Sequence, residues 1–390
     1  MTGARPGDPD GEPGDALSAD ERRTAERVLS AAWDGPVVLR SATVVDDREH
    51  VVRVVTAGGR SAVLKRPRRP GDSLWGGESR GLVTEWATLD YLGRAAPGVA
   101  PRLYGGDRDL PLVLMEDLPP GRSLAASLLG DDPAAARSDL VAYATTLATL
   151  HAASLGDADR HAAVRRRHGL EGEAPPWWVT RMRDAAPAFV AAVGEHGVPV
   201  AGLAGEVAAL PEVLGDPAHR GLVHGDPCPD NVSVVDGGCR VFDFERSSTG
   251  SVVLDFGYLV APFPSCWCFG RLPVDATAGA VAAYGAVMAA AGVALDAAWD
   301  RAVAAALGLW VVARIGSLGR APDGEDRAWG TTTMRPRLDA WSGAFLGAPG
   351  AAAFPRLVAA VAGWRERSGV DDAVPPVPGY PAFATGGPAS

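Results

Sequence analysis

Leu222-Val-His-Gly-Asp-Pro-Cys-Pro-Asp-Asn-Val232 is followed nine residues later by Val241-Phe-Asp-Phe-Glu245. Each stretch sets carboxylate or amide side chains at the end of an apolar run. In the first, Asp226 and Asn231 stand five residues apart in a polar loop. In the second, Asp243 closes a β-like run twelve residues beyond the amide. Between them, Ser233 to Phe242 reads as a hairpin turning at Asp236-Gly-Gly, which would carry Asn231 and Asp243 to the same end of the structure.

Working outward, the chain before this region has strand character. Val37–Val45, His50–Thr56 and Ser61–Lys65 form a predicted three-strand meander, turning at Asp46-Asp-Arg-Glu and Ala57-Gly-Gly-Arg. Ser18-Ala-Asp-Glu21 reads as a capping box opening a helix to about Trp33. Val83–Leu92 has helical spacing, and Leu103-Tyr104 with Leu112–Met115 adds two strands. From Ser123 onward Ala/Leu-rich helices dominate: Ala134–Ala153, then about 275–293, 296–318, 332–346 and 352–367. Residues 155–178 read as a basic, loop-rich insertion ending in Pro175-Pro-Trp-Trp178. The expected class is α+β: a small antiparallel sheet lobe over residues 18–118 and a larger, mainly helical lobe over 119–370. Gly/Pro-rich tails at 1–17 and 371–390 are expected to be disordered.

Composition narrows the function. Of 390 residues 22% are charged, and the net charge of −10 argues against a nucleic-acid or anionic-membrane surface. The most apolar run, Ala302–Val312, is too short to cross a bilayer. The first residues have no apolar core of a signal peptide, so a cytoplasmic location is the default expectation. The chain has one lysine, Lys65, one asparagine, Asn231, and no glutamine. A sequence that uses Arg and Asp elsewhere keeps those two where Arg and Asp cannot substitute.

Phosphoryl transfer from a nucleotide needs a cation on the phosphates, hard oxygen ligands for Mg²⁺ and a carboxylate to receive the hydroxyl proton. The quoted residues resemble the aminoglycoside phosphotransferase and choline kinase group, whose fold is protein-kinase-like and bilobal. His224-Gly-Asp226 followed by Asn231 is similar to its catalytic-loop signature, and Val241–Glu245 to its metal-binding strand end. The resemblance covers roughly residues 35–260. It implies Asp226 as the base, Asn231 and Asp243 as Mg²⁺ ligands, and Lys65 on the α- and β-phosphates of ATP with Glu85 as ion-pair partner. It also implies a hinge at 114–118, where Met115, Glu116 and Leu118 frame the adenine. The acceptor implied is a hydroxyl of a small molecule of aminoglycoside, amino alcohol or sugar type. The turn over the phosphates, Val44–His50, departs from the family in having no glycine. A non-catalytic nucleotide-binding scaffold on the same fold is the alternative.

The remaining polar residues have humbler expected roles. His224 reads as scaffolding for the loop, His151 as a core histidine, Asp255 as an anchor of the loop and Asp230 as a solvated turn residue. Trp177, Trp178 and Trp329 read as packing residues, Arg165–Arg167 as a solvated face, and Asp323–Asp326 as a solubilising loop. Cys228, Cys239, Cys266 and Cys268 lack the usual C-x₂₋₄-C pairs of a zinc site, so free thiols are expected.

Overall fold

The computed structural model describes residues 16–46, 48–68, 79–172, 176–235, 238–261, 263, 265–318, 328–368 and 377–384. Most of both expected tails, Pro175, the turn residues Asp236 and Gly237, and Asp323–Asp326 lie outside them. The chain divides into two compact units, one of Met1–Trp86 with Arg102–Asp117 and one of Ala87–Pro101 with Leu118–Ser390.

The first unit is built on a five-stranded antiparallel sheet ordered β1-β2-β3-β5-β4: β1 (Leu39–Val45), β2 (Arg48–Thr56), β3 (Ser61–Lys65), β4 (Leu103–Asp107) and β5 (Leu112–Glu116). Period-two alternation decides which face is covered. Val52, Val54, Ala62, Leu64, Leu112 and Leu114 are fully buried with Ala25 and Leu29 of α1 (Ala19–Ala32). Arg53, between the buried valines, points away and pairs with Asp117 at 2.9 Å. The predicted capping box is present: Glu21 N–H donates to the Ser18 hydroxyl (3.2 Å) and Ser18 N–H to the Glu21 carboxylate (2.8 Å). The glycine-free turn between β1 and β2 is a two-residue one, with Val45 paired to Arg48. Asp46 takes φ 49° there, in the left-handed region that aspartate tolerates better than most side chains. Asp47 lies outside the described residues. The helix expected at Val83–Leu92 is longer, α2 (Ser79–Ala95).

In the second unit β6 (Arg122–Ser123), β8 (Val232–Val235) and β9 (Gly238–Val241) form a small sheet, and β7 (Arg220–Val223) pairs with β10 (Ser248–Ser251). The helices are α3 (Leu124–Leu129), α4 (Pro133–Ser154), α5 (Ala158–Arg167), α6 (Trp177–Glu195), α7 (Leu203–Val213), α8 (Val253–Val260), α9 (Val274–Ala290), α10 (Ala297–Leu318), α11 (Met334–Leu346) and α12 (Pro355–Arg367). α10 runs through the interior with Ala302–Val312 buried along its length, which explains an apolar run without helical alternation. Its Gly316 lets the α6 backbone approach: a Cβ there would stand 2.3 Å from the Ala185 carbonyl oxygen. No helix among the described residues is long and apolar enough to cross a membrane.

Three expectations are corrected. Residues 158–167 are helical, not a loop-rich insertion, because His161, Ala162, Val164 and Arg165 recur at helical spacing and are buried. Arg165 is therefore no solvated residue; its Nε–H donates to the Glu171 carbonyl (3.1 Å). Trp329 does not pack in a core. It is half-exposed in a short hairpin, with its indole N–H on the Ser265 carbonyl (3.2 Å).

Candidate active site

In the first unit, Lys65 ends β3 and Glu85 lies on α2. The ammonium donates to both carboxylate oxygens, at 2.9 and 2.7 Å, with Lys65 8% and Glu85 1% exposed. Two opposite charges in so dry a place pay a desolvation cost that a surface pair avoids. Only a tight bidentate geometry holds them there. On the neighbouring strand Met115 is buried. Glu116 N–H is committed to the Arg102 carbonyl (2.8 Å). Leu118 is where the second unit's larger segment begins.

In the second unit, β7 runs into the loop His224–Asn231 and the hairpin β8–β9 leads out of it. Asp255 of α8 fixes the start of that loop from thirty residues away. Its carboxylate accepts the N–H groups of His224 (2.6 Å) and Gly225 (3.0 Å), and the Nε2–H of His151 (3.2 Å). His151 Nδ1 in turn meets the Tyr284 hydroxyl at 2.7 Å. Gly225 is required: it sits at φ 81°, and a Cβ would stand 2.5 Å from the Arg246 carbonyl oxygen. The Gly225 carbonyl accepts the Trp178 indole N–H (3.3 Å), and the Pro227 carbonyl the Tyr143 hydroxyl (2.8 Å).

His224 is scaffolding. Asp226 N–H donates to its Nδ1 (3.3 Å), so the ring proton sits on Nε2 and donates to the Phe242 carbonyl (3.0 Å). Asp226 keeps its carboxylate at the surface of this cage, with Oδ1 accepting the Cys228 thiol proton (3.2 Å) and Oδ2 3.9 Å from Arg246 Nε. Asn231 donates its amide N–H to the Asp226 carbonyl (3.0 Å), which turns its amide oxygen outward. Phe242 N–H bonds the Asn231 carbonyl (3.0 Å) beyond the last hairpin pair, Val232 with Val241. Asp243 is the next residue, in left-handed backbone at φ 69°. For a non-glycine residue that conformation is uncommon and collects at functional positions. The amide and the carboxylate thus stand at one end of the hairpin, as the spacing predicts.

Asp230 corrects another expectation. It is partly buried, held by the Trp267 indole N–H (2.9 Å) and the Cys266 thiol (3.5 Å), and burial next to Cys266 pushes its carboxyl up to about 7. No local signal marks this, because its partners lie 36 and 37 residues on. All four cysteines are free and buried. Sequence reading also missed the arginine beside Asp226, Arg246, and the arginine–tryptophan stacking around it. Arg246 and Arg181 stack on Trp177, at 4.6 and 5.5 Å from its centroid. Arg314 lies between Trp178 and Trp341, at 5.1 and 4.9 Å, and burial beside other arginines lowers it to about 10.

Residues 43–315 match the family model of the phosphotransferase enzymes. The chain belongs to this phosphotransferase family. Solved structures similar to this phosphotransferase include an aminoglycoside phosphotransferase from Alicyclobacillus acidocaldarius, 15% identical over 84% of this chain and 92% of that one, with a TM-score of 0.47. A macrolide 2'-phosphotransferase from Brachybacterium faecium is 18% identical over 83% and 98%, with a TM-score of 0.43. A choline/ethanolamine kinase family protein from Mesorhizobium loti is 16% identical over 86% and 97%, with a TM-score of 0.39. No curated protein matches the phosphotransferase significantly. Membership in an enzyme family goes against the non-catalytic scaffold alternative.

Proposed function

We propose that this phosphotransferase moves the γ-phosphoryl group of ATP, with Mg²⁺, onto a hydroxyl of a small molecule. The observation that carries the reading is the chain's only lysine, buried at a strand end and paired through both oxygens with Glu85. A buried ammonium held straight by a carboxylate is what a polyphosphate needs as a fixed counter-charge. Met115 would line the back of the adenine pocket, which the backbone of Glu116 and Leu118 would face.

Asp226 accepts the acceptor's proton as its hydroxyl attacks phosphorus, so the O–P bond forms while the bond to the β-phosphate oxygen breaks. Asn231 and Asp243 fit a hard cation: both present oxygen, the first because its amide nitrogen is already engaged. A Mg²⁺ ion held there would neutralise charge on the β- and γ-phosphates. Arg246 puts positive charge beside the base, and Arg181 shares its Trp177 ring. That supports a sugar-like or anionic acceptor over a polyamine, narrowing the aminoglycoside-to-sugar range implied by the resemblance.

The test is an ATP-consumption screen across hydroxylated acids, sugars, amino alcohols and aminoglycosides, followed by Asp226→Ala. The variant is expected to lose turnover by about 10²–10⁴-fold, the usual contribution of a general base. Its Mg²⁺-dependent thermal stabilisation by ATP should stay within a degree or so of the parent. Full turnover in that variant would remove Asp226 from the role.

A further inference from the structure

Two of the four cysteines converge on a carboxylate, and a third touches one of them. The sulfur atoms of Cys228 and Cys266 and a carboxylate oxygen of Asp230 all lie within 4.8 Å of one another. Cys266 Sγ is 3.5 Å from Asp230 Oδ1 and 3.1 Å from Cys268 Sγ. Cys239 is not part of the group; its thiol donates to the Asp139 carbonyl on another face of β9. His224 is also outside it, since both its ring nitrogens are engaged with backbone.

The cluster is short of positive charge. Asp230 is partly buried, and its carboxylate accepts from neutral donors: the Trp267 indole, the Cys266 thiol and its own backbone N–H. Buried carboxylates are ordinarily paired with a cation. Arg337 donates to the carbonyls of Cys266, Trp267 and Trp329, which brings its positive charge close to the sulfurs. Two or three thiols and one carboxylate at this spacing are the donor set of a zinc-type ion. A triangle with sides of 4.8 Å or less puts its corners within about 2.8 Å of a common centre, against ~2.0–2.3 Å for zinc ligands, so contraction by a few tenths of an ångström closes it.

We infer that Cys228, Asp230 and Cys266 bind one thiophilic divalent cation of the zinc type, with the fourth position left to solvent or to the neighbouring Cys268. The ion clamps the His224–Asn231 loop to the turn at Cys266–Cys268. On binding, each coordinating thiol gives its proton to solvent and no electron moves. Cys228 then ceases to donate to Asp226 Oδ1, and that oxygen is released. The site is separate from the proposed Mg²⁺ ligands, which offer only oxygen, and the inference stands whether or not the proposed reaction is correct.

Cobalt(II) is the probe. The full-length protein, stripped with a chelator under reductant, is titrated with Co²⁺ and followed by absorption. One equivalent should bind with a thiolate-to-cobalt charge-transfer band and the visible bands of tetrahedral cobalt. Stoichiometric Zn²⁺ should erase both, and a large excess of Mg²⁺ should not. Cys228→Ser and Cys266→Ser should each weaken binding by on the order of 100-fold or more, exceeding what outer-sphere changes do, and Cys239→Ser should leave it unchanged. If a serine variant fails to fold, Asp230→Asn serves: weaker binding with the sulfur band retained. A parent protein without the charge-transfer band, a Co²⁺ affinity in Cys266→Ser equal to the parent's, or a Cys266–Cys268 disulfide that forms instead of metal uptake would each overturn the inference.

Discussion

Lys65–Glu85 and the His224–Asn231 loop reach rigidity by opposite routes. The first is one ion pair, two charges and two hydrogen bonds, set on adjacent regular elements within one unit. The second has no regular structure of its own beyond a single 3₁₀ turn, and is held by neutral backbone groups bonded to Asp255, Trp178, Tyr143 and the Asn231 side chain. A charge pair concentrates its energy in two side chains. A backbone cage spreads it over many, and each anchor sits on a different helix or loop.

The sharpest way to break this contrast is Lys65→Met. It leaves Glu85 charged and dry, which should cost about 3–5 kcal/mol in chemical denaturation, and should abolish ATP-dependent stabilisation. Combining it with Glu85→Leu should recover most of the stability and none of the nucleotide response. A double variant that regains nucleotide binding would show that the pair is structural only. Asp255→Ala comes next. It strands the buried N–H groups of His224 and Gly225, for a loss of about 3 kcal/mol, and turnover should fall with the loop's order although no reacting group is touched. Unchanged kcat there would mean that the loop holds itself. Gly225→Ala should cost about 2 kcal/mol through its positive φ and the contact with the Arg246 carbonyl. A stability change under half of that would show that the loop yields.

The smallest effect is a pH slope. His161 is buried on α5, with Nδ1 on the Thr249 hydroxyl of β10 (2.7 Å), and burial lowers it from 6.5 to about 4. The unfolded chain therefore takes up that proton first as pH falls. Its contribution is complete above pH 6.5 and drains away toward pH 4, by about 1.4 kcal/mol per unit at most. His161→Phe should flatten the stability curve over that window; an unaltered slope would place the titration elsewhere.

Much of the frame is legible in local sequence signals. The meander β1–β3 follows from period-two alternation, and the start of α1 from its capping box, because these signals are local. Lys65 and Asn231 could be singled out because the composition had removed every competitor. Legibility ended where partners are distant in sequence. Asp230 looked solvated because Cys266 and Trp267, which cover it, come more than thirty residues later. Arg165–Arg167 looked like a surface run, yet the same triplet on α5 has one buried and two exposed members. Asp255 was named as an anchor, but nothing local showed that His151 and Tyr284 would extend its reach to α9.

That extension has a consequence for how the protein breathes. Tyr284 on α9, His151 on α4, Asp255 on α8 and the amides of His224 and Gly225 form one hydrogen-bonded line. Every member but Gly225 is at most 1% exposed or lies on a packed helix. The Gly225 amide cannot then reach solvent by a private opening of its loop. It should exchange its hydrogen only when α4, α8 and α9 part company, on the timescale of the whole unit's unfolding rather than that of a surface loop.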